Sequence, residues 1–122
     1  MTENKKPRVL VVDDERVIAD TLSIILNQAG FNASAVYNGK SAVDTAREVK
    51  PDLIISDVIM PDMNGIDAAI QIRAILPSCK ILLFSGQAAT ADLLDKARKQ
   101  GHEFEILAKP VHPQDLLAKL RS

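Results

Sequence analysis

Three kinds of side chain in this sequence sit where they could share one reaction. Carboxylates at Asp13, Asp14 and Asp57, a hydroxyl at Ser85 and an amine at Lys109 each follow a short apolar run. Clustered acids repel one another, which raises the cost of keeping all of them ionised. A hard divalent cation removes that cost, and a few carboxylates with remaining water ligands suit Mg²⁺ better than an all-protein cage. An aspartate can itself be a nucleophile and form an acyl phosphate. Such a transfer needs countercharge on the phosphoryl oxygens, from the metal and a lysine, and a hydroxyl such as Ser85 can hydrogen-bond one of them. The pattern therefore points to Asp57 as a phosphoryl acceptor, with Lys109 as its countercharge.

These groups can meet only if the apolar runs preceding them lie side by side. Arg8 to Asp13 is a short, nearly continuous β-branched run of the kind buried on both faces of a sheet, and Asp13-Asp14-Glu15 closes it. Val17, Ile18, Leu22, Ile25, Leu26 and Ala29 then recur at helical spacing up to Gly30. Asn32 to Tyr37 predicts a second, more polar strand, at a sheet edge. Asn38-Gly39 predicts a turn, and Ser41 to Val49 a weaker helix. Leu53 to Asp57 is the third strand, and a helix through Ile66, Ala69, Ile70 and Ala74 stops before Pro77. Lys80 to Ser85, a helix over Ala91 to Gln100, a strand over Phe104 to Leu107 and a helix over Pro113 to Leu120 complete the pattern. Strict alternation with short connections implies an α/β fold with a parallel sheet and helices on both faces. Five such units are too few for a closed eightfold barrel, so the sheet is expected to be open and doubly wound. In such sheets ligands bind at the carboxyl ends of the strands, where Asp13, Asp14, Asp57, Ser85 and Lys109 all fall.

Composition narrows the function classes. The chain has 122 residues, 47% of them hydrophobic and 25% charged, which predicts a single domain over 1–122 with a real core. Residues 1–7 read as a frayed lead-in, with no effector domain after the last helix. A net charge of −1, without runs of one sign, gives no footprint for nucleic acid or a membrane surface. The single cysteine, Cys79, excludes an internal disulfide, and no apolar run reaches the ~18 residues of a membrane span. A cytoplasmic setting is expected. A dinucleotide-binding domain is excluded because no G-x-G-x-x-G follows the first strand.

From Arg8 to Leu120 the sequence resembles the receiver domain of two-component response regulators. The resemblance is carried by Asp13-Asp14, by Asp57 with Met60-Pro61 and Gly65 after it, by Ser85-Gly86, and by Lys109-Pro110. It implies a flavodoxin-like fold with strand order 2-1-3-4-5. It implies Mg²⁺ held by Asp13 or Asp14, by Asp57 and by the backbone carbonyl of Ile59. The phosphoryl donor would be the phosphohistidine of a histidine kinase or phosphotransfer protein, or a small acyl phosphate. The domain would act as a signalling switch rather than an enzyme on an external substrate. Phosphorylation would change the surface of helix four, strand five and helix five for a downstream protein target or effector domain. The Lys109-Pro110 bond is expected to be cis in this family.

Each site residue also has a plainer explanation. Asp13 and Asp14 could cap a helix, Ser85 could cap the next one, and Lys109 could be a solvated surface lysine. The plain explanations fit singly and not together. Asp62 reads as solvated, Cys79 as an inert residue before strand four, and Tyr37 as a packing residue. His102 and His112 lack partners at metal-ligand spacing and read as surface residues. The sequence departs from the family in two places. The aromatic expected three residues before the lysine is Ile106, and Phe104, two residues earlier, could serve the same face. Ile59 and Gln87, which would flank the path of a hydrolytic water, predict slow-to-moderate self-dephosphorylation. The alternative to the phosphorylated switch is a receiver-like interaction module that does not use phosphate.

Overall fold

In the computed structural model the apolar runs become strands and the periodic stretches become helices. The structure describes residues 6–86, 89–109 and 112–121, so Gln87 and the Lys109-Pro110 bond lie outside what is described. The order is β1 (Arg8–Val12), α1 (Arg16–Gln28), β2 (Asn32–Val36), α2 (Gly39–Val49), β3 (Leu53–Asp57) and α3 (Gly65–Ile75), followed by β4 (Lys80–Ser85), α4 (Ala89–Lys99), β5 (Glu105–Ala108) and α5 (Pro113–Arg121). All the strand pairings are parallel, in the order β2-β1-β3-β4-β5, as expected. β2 is the edge strand its polarity predicted. Hydrogen bonding reaches one residue into the lead-in, where the Asn32 N–H donates to the Pro7 carbonyl at 2.8 Å.

Successive strand residues serve opposite faces, and the core divides accordingly. Leu10, Val12, Ile54, Ile81 and Leu83 pack with α2, α3 and α4. Val9, Val11, Ile55, Leu82 and Phe84 pack with α1 and α5, against Leu22, Leu26 and Leu116. Burying one such side chain contributes roughly 1.5–3 kcal/mol. The three central strands are sealed on both sides, which fixes their carboxyl ends relative to one another.

Several boundaries differ from the sequence pattern, each for a local reason. Asn38-Gly39 is not a free turn: Asn38 caps α2, its Oδ1 accepting from the Ser41 N–H at 2.7 Å, so the helix starts at Gly39 rather than Ser41. Asn64 caps α3 in the same way through the Asp67 N–H, at 2.8 Å. α4 begins at Ala89, earlier than the apolar periodicity from Ala91 indicates, because its first turn carries Thr90 rather than an aliphatic residue. β5 is shifted by one residue, which leaves Phe104 just ahead of the strand.

Candidate functional site

The register of the sheet brings the strand ends into one row. Val12 pairs with Ser56, Asp57 with Phe84, and Ser85 with Ala108. Asp13 therefore emerges beside Asp57, and Lys109 emerges beside Ser85, whose carbonyl accepts the Lys109 N–H at 3.0 Å. Asp14, Glu15, Asp57, Ile59, Ser85, Gly86 and Lys109 line a cleft of about 350 Å³ at this end. The five residues expected from sequence to converge do so.

The row gathers three acids with one internal countercharge. Carboxylate oxygens of Asp13, Asp14 and Asp57 all lie within 4.8 Å of one another. Asp57 is buried; its Oδ1 accepts the Val58 N–H at 2.8 Å and its Oδ2 pairs with Lys109 Nζ at 3.1 Å. Asp13 is fully buried. Its Oδ1 accepts the Glu15 N–H at 3.0 Å, and its Oδ2 has no hydrogen-bond partner among the described residues. Burial pushes the Asp13 carboxyl up to about 6, the Glu15 N–H opposes this, and the Asp57 charge adds to it. A hard cation would stabilise the charged form of an acid in that position, and the unpartnered Oδ2 is an atom it could bind. The capping explanation for Asp13 and Asp14 fails here, because the N-cap of α1 is Glu15 and it makes no side-chain cap hydrogen bond.

Three further residues shape the site, and of these only Gly65 is marked in the sequence. A Cβ on Gly65 would overlap the Asp57 carbonyl oxygen, so the loop after β3 folds back directly on the acceptor's backbone. The buried Ser56 hydroxyl donates to that same carbonyl at 2.9 Å. Thr90, buried in the first turn of α4, accepts the Ser85 hydroxyl at 2.5 Å. In the sequence Gly65 is visible only as part of a motif. Ser56 sits inside an apolar strand, and Thr90 inside an unremarkable Ala-Thr-Ala run, so neither carries a pattern to flag it.

The family model for the response regulator receiver domain matches residues 9–121. This chain belongs to that family. The receiver is 35% identical over 114 residues to the chemotaxis protein CheY of Thermotoga maritima, covering 93% of each chain. It is 31% identical over 120 residues to the DNA-binding response regulator MtrA of Mycobacterium tuberculosis, covering 98% of this chain and 51% of that one. The receiver thus spans about half the length of curated relatives of the MtrA kind. Its fold superimposes on the chemotaxis protein CheY4 of Vibrio cholerae with a TM-score of 0.83 and 29% identity, over 95% and 97% of the two chains. Membership carries the coarse function with it: receivers are phosphoaspartate signalling switches, signalling domains rather than enzymes in the ordinary sense.

Away from the cleft, the receiver's departures take definite form. Phe104 and Ile106 line one small cavity with Leu94 and Arg98, so they do serve the same face. Phe104 is clamped, however. The Arg73 guanidinium lies 4.2 Å from its ring centroid and donates to the Glu103 carbonyl at 3.0 Å, and the His102 ring stacks on it with centroids 6.4 Å apart. His102 is accordingly half-buried rather than a free surface residue, while His112 is exposed. Tyr37 does pack, under Arg16, and its hydroxyl donates to Asp20 Oδ1 at 2.6 Å. Cys79 is buried, and desolvation pushes its thiol up to about 11, which keeps it protonated and inert. Asp62 is exposed in the loop, at φ 69°. No helix among the described residues is long and apolar enough to cross a membrane.

Proposed function

We propose that Asp57 is the phosphoacceptor of this receiver, that Mg²⁺ is held by Asp13, Asp14, Asp57 and the Ile59 carbonyl, and that Lys109 and Ser85 contact the transferred group. The observation that carries this is the Asp57 carboxylate, flanked on one side by two acids and on the other by Lys109 Nζ at 3.1 Å. A carboxylate oxygen of Asp57 attacks phosphorus in line, the bond from phosphorus to the donor's imidazole nitrogen breaks, and that nitrogen takes up a proton. Lys109 leaves its ion pair with the carboxylate for an oxygen of the incoming group, and the Ser85 hydroxyl donates to another. When bound, the cation supplies countercharge to the acids and to the phosphoryl oxygens. The donor is a histidine kinase, a phosphotransfer protein or a small acyl phosphate in a cytoplasmic setting. The product alters the α4-β5-α5 surface for a downstream protein or effector domain, since Ser85 and Lys109 adjoin β5 and α4. With a net charge of −1, direct binding of nucleic acid by this chain is not expected.

Incubation with phosphoramidate or acetyl phosphate and Mg²⁺, followed by intact-mass measurement, tests the assignment. One phosphoryl group is expected, absent in Asp57→Asn and strongly reduced in Lys109→Ala. No gain with either donor would favour a receiver used as a phosphate-independent interaction module. The same assay reads persistence. Ile59 is 39% exposed at the cleft and cannot hydrogen-bond a water through its side chain. Ile59→Asn should shorten the half-life of the phosphorylated form several-fold; an unchanged half-life would remove Ile59 from the hydrolytic path.

A further inference from the structure

We propose that Thr90 is a positioning residue for Ser85, holding the first turn of α4 against the sheet until a phosphoryl group on Asp57 competes for the Ser85 hydroxyl. The inference rests on Asp57 being the phosphoacceptor. Ser85 Oγ donates to Thr90 Oγ1 at 2.5 Å, and Thr90 is only 3% exposed. A serine hydroxyl has a single O–H to give. Ser85 also lines the cleft with Asp57 and Lys109, so its hydroxyl borders the space that a phosphoryl group on Asp57 would occupy. A hydrogen bond to an anionic phosphoryl oxygen is shorter and roughly twice as strong as one between neutral hydroxyls, so the phosphoryl group wins the donor. Thr90 is then left as a buried hydroxyl whose donor has turned away.

The consequence falls on α4 because that helix is lightly attached. Among its described side chains only Thr90 and Ala97 are buried, with Leu93 and Leu94 half-buried. One of its two buried anchors is therefore the residue that loses its hydrogen bond. Elements with few buried contacts are the ones that move at low cost. The aromatic route is closed by comparison: position 106 is isoleucine, and Phe104 is clamped under Arg73. The hydroxyl pair connects the cleft to α4 without it.

The test is a titration of the full chain with fluoroberyllate, a phosphoryl mimic, in the presence of Mg²⁺, followed by amide NMR. Thr90→Val removes the competing acceptor and should bind the mimic about fivefold more tightly, the factor one neutral hydrogen bond is worth. Its α4 amide shifts before addition should move toward the bound positions. Thr90→Ser keeps the hydroxyl and should match the wild type. In a Ser85→Ala background Thr90→Val should no longer change affinity. If the valine variant does not fold, Thr90→Ala is the second reading of the same effect. Unchanged or weaker binding by Thr90→Val, or the same gain in the Ser85→Ala background, overturns the Thr90 assignment alone. A wild type that neither binds the mimic nor gains a phosphoryl group by mass overturns the phosphoacceptor assignment and takes this inference with it.

Discussion

Asp13→Asn is expected to stabilise the metal-free protein at pH 7 by on the order of 2–3 kcal/mol while abolishing its stabilisation by Mg²⁺. The Asp13 carboxyl is raised from 3.8 to about 6, chiefly by burial. A raised acid binds its proton more tightly when folded than when unfolded, so the folded state holds the extra proton between the two values. The contribution of this group is therefore most favourable below about pH 4, declines as the pH rises from 4 to 6, and is flat above. Every tenfold gain in proton affinity on folding corresponds to about 1.4 kcal/mol, which sets the magnitude. Asparagine cannot ionise and so removes both the penalty and the slope. Urea unfolding in chelator across a range of pH spanning both values measures this directly. Adding Mg²⁺ at about a hundred times its dissociation constant should stabilise the wild type by about 2.7 kcal/mol and leave Asp13→Asn unmoved. Equal stabilities of the two proteins at pH 7 in chelator would show that the buried charge is compensated within the protein without a bound metal ion.

The parts of the molecule that were legible in the sequence are those in which one residue carries the whole signal. Val9 to Val12 and Ile81 to Phe84 are apolar at every position because each strand faces helices on both sides. Their existence followed from that alone, although β1 ends at Val12 rather than Asp13. The acids, Ser85 and Lys109 were legible because parallel strands place their carboxyl ends in one row, so a linear position becomes a spatial one. What escaped was pairwise. Nothing in Asn38-Gly39 says whether asparagine turns the chain or caps a helix until the Ser41 N–H is seen beneath it. Thr90 became relevant only through the Ser85 hydroxyl, five positions away across residues whose side chains carry no pattern. Phe104 could be placed on a face by counting, but its clamp depends on Arg73, thirty positions from the Glu103 carbonyl it also binds. Periodicity reports the environment of one residue at a time, and these contacts are properties of two.

Gly65 is the position where backbone geometry and chemistry are most tightly joined, and Gly65→Ala is expected to damage both. Its φ is not in the left-handed region, so conformational freedom is not the reason glycine stands there. The reason is space: an alanine methyl would overlap the Asp57 carbonyl oxygen and come within 3.1 Å of Ser56 Oγ. The carbonyl cannot retreat, because β3 is held by β1 on one side and β4 on the other. The loop cannot easily retreat either, since the Gly65 N–H donates to the Val58 carbonyl at 2.7 Å. Overpacking of this kind costs about 3 kcal/mol, and here whatever relaxes it displaces Asp57. A misplacement of about 1 Å in a reacting group can cost a hundredfold in rate, so phosphorylation by phosphoramidate should fall by about that factor even under conditions where the variant is folded. Gly86→Ala is the matched comparison at the same cleft. Its methyl would come within 3.1 Å of Lys109 Cβ, a tight contact relieved by a shift of a few tenths of an ångström rather than an outright overlap. Chemical denaturation and the time course of the mass gain should therefore rank the two variants together, with Gly65→Ala far below Gly86→Ala in both. A Gly65→Ala protein that is destabilised but phosphorylated at the normal rate would show that the loop yields without moving Asp57, and one with native stability but slow phosphorylation would show that Asp57 shifts at little cost; either would separate the structural role of this glycine from its catalytic consequence.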